Sequence, residues 1–306
     1  MRRACTAWER FWFAQEPAST LALVRIAFAA VTLVWAATLV PDLGAFYGTG
    51  GPVEGSGAAG TVLALLFVAA GCLLVGYHSR IAAIAVPACL VWFDRVDGTV
   101  LNGGDALLRD IGLFLALAPL GAALSVDRWR PSRASFWDCP RRSVWPLRLV
   151  QVQVSVMYLA SVAWKLSGST WRDGTAVSYP LRIPGIARDP LPDSVAASPA
   201  LVHVLTWGTL GAELAIGLLV WSRRARPWAL AAGVLLHLSI EATLEPGFFS
   251  WAVLVGYVAF IPTERATLLV KAAERRLTRR RAGITALAQS STSGRSRSAP
   301  GPPSTL

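Results

Sequence analysis

Apolar blocks approaching the length of a membrane span recur along this chain, at about 21–40, 61–76, 81–93, 106–124, 151–165, 201–221 and 228–243, with a last one ending near 261. They restrict the fold more than any other feature. Crossing the hydrocarbon takes ~20 apolar residues, and a soluble domain does not repeat such blocks from end to end. Charged residues make up 15% of the chain and hydrophobic residues 54%, against a usual charged share of about 25%. The blocks predict an all-α fold, a polytopic transmembrane helix bundle of about eight spans.

Charge then sets the threading. The net charge of +11 is compatible with nucleic acid by magnitude alone, but the basic residues sit in short connections between apolar blocks and in the C-terminal stretch. That is the distribution a membrane protein needs, and it argues against nucleic-acid binding. In an eight-span threading, 22 of the 29 lysines and arginines fall on one side. By the positive-inside bias that side is cytoplasmic and holds both termini. Residues 1–18, with Arg2, Arg3 and Arg10 beside Trp8, Phe11, Trp12 and Phe13, predict an interfacial helix. Residues 19–262 form the transmembrane domain. A basic juxtamembrane helix is expected at 263–282, on the anionic inner leaflet, followed by a disordered tail at 283–306. Membrane lipids are the expected surroundings and the plasma membrane the expected location.

Polar residues inside the blocks are the functional candidates. At ~100° per residue, Gln151, Ser155, Tyr158 and Lys165 share one helix face, so a polar stripe runs along an apolar segment and must meet protein or water. Lys165 is one of two lysines in a chain that otherwise uses arginine. A desolvated lysine can lose its proton, and an arginine effectively cannot. The plain alternative is a lysine snorkelling at a helix end. Lys165, His237 and Glu241 fall at compatible depth, with His237 and Glu241 at i, i+4, and are the candidate proton-handling group. Helix-to-helix hydrogen bonding is the competing reading. Arg25 and Glu213 both come out roughly 9 to 14 Å from the cytoplasmic side at 1.5 Å per residue, which predicts a structural ion pair. No metal site is expected, because His78, His203 and His237 lie on different segments without ligand spacing.

Several short motifs carry a resemblance. They are Leu23-Val-Arg-Ile26, Phe46-Tyr-Gly48, Asn102-Gly-Gly-Asp105, Ala118-Pro119, Ser125-Val-Asp127, Tyr158-Leu-Ala-Ser-Val-Ala-Trp-Lys-Leu166 with Trp171-Arg-Asp-Gly174, Arg226-Pro227, and His237 with Gly247-Phe-Phe-Ser250. With these the sequence resembles the HTTM family, the transmembrane domain shared with vitamin K-dependent gamma-carboxylases, over about residues 8–262. In those enzymes the lysine similar to Lys165 is the base that deprotonates a reduced quinone. The resemblance therefore implies Lys165 as base, His237 lining the same site, and a reduced quinone as cofactor. Asn102, Asp105, Trp171 and Tyr158 are the candidate substrate contacts. Two features depart from the carboxylases. Gly103 follows Asn102 where they carry a histidine, and no large extra-membrane region follows the helices. Bacterial proteins of this family include the membrane component of a sporulation-delaying toxin system, which implies maturation of a small secreted peptide. Two readings stay open: an enzyme that modifies a lipid, quinone or small peptide, and a non-catalytic membrane factor such as a transporter or export partner.

Overall fold

The computed structural model describes residues 2–48, 57–96, 103–132, 135–188 and 198–295. Helices form in chain order: α1 (Arg2–Phe13), α2 (Ser19–Leu39), α3 (Leu43–Tyr47), α4 (Ala59–Val75), α5 (Ser79–Val96), α6 (Gly103–Ala116), α7 (Val126–Ser132), α8 (Trp145–Ser167), α9 (Ser169–Arg172), α10 (Pro199–Leu219), α11 (Arg226–Thr243), α12 (Phe249–Val258) and α13 (Thr263–Arg295). Each expected apolar block contains a helix. One short antiparallel pair joins them, β1 (Gln15–Pro17) on β2 (Arg141–Ser143). By length and composition, α2, α8 and α10 can cross a membrane, and α12 with α13 makes a fourth candidate if that pair, bent by 96°, is one span. The outer surface is apolar as well: Val68, Ile81 and Leu235 are each more than half exposed. A soluble monomer would not show so much apolar surface, and lipid explains it.

The helices fall into two groups. α2, α4, α5 and α6 pack in succession, as do α8, α10 and α11, and the ten-residue α12 touches α2 and α6 on one side and α8 and α11 on the other. Its approach to α8 depends on Gly256, where a Cβ would lie 2.6 Å from the Val154 side chain. Small residues at such contacts let helix backbones come close.

Two helices end at places other than the sequence reading expects. The block expected at 106–124 is helical only to Ala116, because the residue before Pro119 is steered out of the helical region and proline itself brings no N–H. The carbonyls freed there are taken by Arg25. This fully buried side chain donates from Nη1 to the oxygens of Leu120 (2.7 Å) and Ala123 (3.2 Å), and from Nη2 to that of Leu124 (2.5 Å). The expected Arg25–Glu213 pair is therefore not formed. Equal depth is not adjacency: α2 packs against α4 and α12, whereas α10, which carries Glu213, packs against α8 and α11. The second departure is α13, which continues to Arg295 and past the expected end at 282. No proline interrupts the sequence before Pro300, so nothing forces the helix to stop at the expected point.

The Ser125-Val-Asp127 motif has a local task. Gly76 closes α4 at φ +71°, where a Cβ would lie 2.8 Å from Ser125. Ser125 Oγ donates to the Gly76 carbonyl at 2.7 Å. Asp127 then accepts from the amides of His78 and Ser79, both at 2.7 Å, capping the free N–H groups at the start of α5. Partial burial works against the Asp127 charge, but these amide donors outweigh it and hold the carboxyl below its ordinary value. A depressed folded value means that the cap's stabilisation is complete above about pH 4 and is lost as pH falls through the lower folded value. Asp127→Ala is expected to lose about 1 to 2 kcal/mol at neutral pH. The gap between wild type and variant should shrink in acid, as measured by chemical unfolding in detergent across pH 3 to 7.

Candidate functional site

The polar stripe of α8 faces protein, and each of its members has a partner. Buried Gln151 donates to the Ala259 carbonyl at 2.6 Å, and buried Ser155 accepts from Trp221 Nε1 at 2.8 Å. Farther along, Ser161 donates to Glu213 Oε2 at 3.1 Å, and Lys165 Nζ pairs with Glu213 Oε1. α8 and α10 run antiparallel, with Ser155 beside Trp221, Leu159 against Gly217 and Ser161 beside Glu213. In that register Glu213 lies about one turn deeper than Lys165. Helical side chains lean toward the N-terminus of their helix, so Lys165 reaches back into the bundle and Glu213 reaches out to meet it. A snorkelling lysine would point the other way. The Glu213 side chain is 9% exposed and that of Lys165 21%. The ammonium also lies 4.7 Å from the centre of the Trp171 ring, a cation–π contact.

A second group lies deeper on the same helix. Tyr158 hydrogen-bonds both to His237 Nε2, at 2.7 Å, and to the Tyr257 hydroxyl. His237 Nδ1 is 3.4 Å from Ser250 Oγ. All four residues are buried. α8 contributes Tyr158, α11 contributes His237, and α12 contributes Ser250 and Tyr257. Gly233 makes the room, since a Cβ there would fall 2.0 Å from the Tyr257 oxygen.

The expected Lys165–His237–Glu241 cluster is thus partly reassigned. Its lysine and histidine lie on one seam, but the carboxylate at the lysine is Glu213. Glu241 sits elsewhere on α11: its carbonyl accepts from Arg188 Nε at 3.1 Å, and its Oε1 is buried with no hydrogen-bond partner among the described residues. Among the substrate-contact candidates, Trp171 and Tyr158 join the site. Asp105 accepts from Trp35 Nε1 at 2.8 Å, on the α2 side, and Asn102 lies outside the described residues. Sequence reasoning passed over Tyr257, and it held Ser250 only as the end of the Gly247-Phe-Phe-Ser250 motif quoted with His237, without a role. The signal for Glu213 was present, because it is the one carboxylate in the 201–221 block.

Compared with known proteins, residues 57–264, about two thirds of the chain, match the family model of the HTTM domain. The chain belongs to the HTTM family. No curated protein and no solved structure matches it. The matched stretch contains the whole α8–α10 seam and the Tyr158–His237 group, so both polar clusters belong to the HTTM domain itself. Chemically, this HTTM domain offers a paired amine and carboxylate, with a chain of hydroxyls and an imidazole behind them.

Proposed function

We propose that this HTTM protein is a multi-pass enzyme of the plasma membrane, with about eight spans and cytoplasmic termini, that takes a proton from a weakly acidic lipid-borne or peptide substrate. The observation that carries the reading is the inward-leaning Lys165 paired with nearly buried Glu213. Away from water an ion pair loses the solvation that favours it, so the amine with a carboxylic acid becomes a competitive state. A bound substrate that displaces water therefore lets the Lys165 proton pass to Glu213. The free amine lone pair then accepts the substrate's acidic proton, which regenerates the ammonium and leaves the substrate anion beside it. Trp171 steadies that cation from above. His237, held by Tyr158 and Ser250, is a positioning residue behind the pair, and Asp105 and Asn102 are outer candidates for substrate contact.

The neighbourhood suits an amphiphile. Trp164 is 82% exposed and Leu166 47%, so an apolar tail can lie along α8 while an acidic head reaches the pair. A reduced quinone has that form, a weakly acidic hydroxyl on an apolar body, and bound there it would supply the acidic group.

The test is untargeted mass spectrometry of membranes from cells carrying the native protein, Lys165→Arg or Lys165→Ala at equal abundance. At least one compound is expected to change in level equally in both variants, because a guanidinium preserves the charge but cannot act as a base. Native levels of every compound with Lys165→Arg would remove the base role. The second reading, a non-catalytic membrane factor, is favoured by the complete pairing of the α8 stripe, which helix seams need on their own account. It predicts no compound altered by either variant.

A further inference from the structure

At the opposite end of α8 from Lys165 lies a cavity of about 470 Å³ whose wall carries Arg148, Arg223, Arg226 and Arg265 against Glu16 and Glu264. Three helices begin at this wall. Arg148 is in the first turn of α8, Arg226 opens α11, and Glu264 and Arg265 are in the first turn of α13. Helix N-termini add partial positive charge to that of the guanidinium groups.

The arginines are fixed to different degrees. Arg148 lies over the Phe11 ring, donates from Nη1 to Gln151 at 2.7 Å, and faces Glu16 at 3.6 Å. Arg226 donates from Nε to the Val220 carbonyl at 2.7 Å. Among the described residues, Arg223, Arg226 and Arg265 form no ion pair. Arg148, Arg223 and Arg226 lie near enough to repel one another. A wall built this way favours an anion, and guanidinium forks match the geometry of a phosphoryl group.

Two observations place that phosphoryl group on a lipid. Much of the remaining wall is apolar, including Leu147, Leu230, Phe260 and Ile261, which suits acyl chains beside a headgroup. The chain also turns by 96° between α12 and α13 beside the cavity, at the aromatic level of Trp221 and Phe260, and aromatic residues gather where bilayer meets water. We infer that this cavity binds the phosphate of an anionic phospholipid, between the N-terminal ends of α8, α11 and α13.

The experiment is native mass spectrometry of the delipidated full chain, titrated with short-chain phosphatidylglycerol, with phosphatidylcholine of equal chain length, and with inorganic phosphate. It compares the native protein, Arg223→Gln with Arg265→Gln, and Arg224→Gln. Arg223, Arg224 and Arg265 are all exposed, so the variants should fold, and Arg224 is a charge-matched neighbour outside the cavity wall. Phosphatidylglycerol is expected to bind best, the double variant to weaken it by about tenfold or more, and Arg224→Gln to leave it within about twofold. Equal binding by native protein and double variant, or phosphatidylcholine binding as tightly, would overturn the proposal. Inorganic phosphate binding as tightly as the lipid would overturn the lipid source and make the cavity a site for a free anion.

Discussion

Replacing Arg25 with leucine is expected to destabilise the folded bundle by about 3 kcal/mol or more, because three carbonyl oxygens then lie in an apolar interior without a donor. Those oxygens belong to Leu120, Ala123 and Leu124, in the segment that follows the early end of α6 at Ala116. Leucine supplies apolar volume and no hydrogen bond. Lysine, with one nitrogen in place of two, should recover only part of the loss. Thermal unfolding in detergent, followed by tryptophan fluorescence, reads the difference directly. If Arg25→Leu melts with the native protein, the carbonyls are satisfied in some other way and this account of the α6 break is wrong.

The second large effect is expected at the α8–α10 seam. Glu213→Leu leaves the Lys165 ammonium at the seam without its carboxylate, and Lys165→Met leaves the Glu213 carboxylate without its cation. Removing one member of a fully buried pair costs about 3 to 5 kcal/mol. Because Lys165 keeps 21% of its side-chain exposure, solvent screening reduces this to about 2 kcal/mol for each single change. The double variant, with neither charge, should lose less than the sum of the two by about 1 kcal/mol or more. Strictly additive losses would show that the two groups do not act as a pair. The same three proteins also serve the proposed function, since a base role predicts that the double variant, although its stability loss falls short of the sum, has no more effect on membrane compounds than either single variant.

How much of this was legible in the sequence varies by level. Block length and the paucity of charge pointed to the helices, and each expected block contains one, although the fourth ends early at Ala116. The Tyr158-to-Lys165 stripe pointed to the face of α8 that carries the site, because helical periodicity needs no knowledge of neighbours. What failed was partner choice. Depth along a helix is one coordinate, and it made Arg25 and Glu213 look like partners when they lie on helices with different neighbours. The Arg25 site was also hidden for a second reason: its acceptors are main-chain oxygens, which no residue type announces. Pro119 was the available clue that oxygens would be freed nearby. Tyr257 was overlooked and Ser250 was given no role, because a hydroxyl within an apolar run gives no signal until another helix brings it a partner.

The bridging position of α12 has a mechanical result. Its Ser250 and Tyr257 reach toward opposite ends of one four-member chain of hydroxyls and imidazole, while its other face rests on α2 and α6. The four buried polar groups therefore tie α12 to α8 and α11 at both of its ends, and the Gln153 amide on Asp110 adds a second, direct tie between α8 and α6.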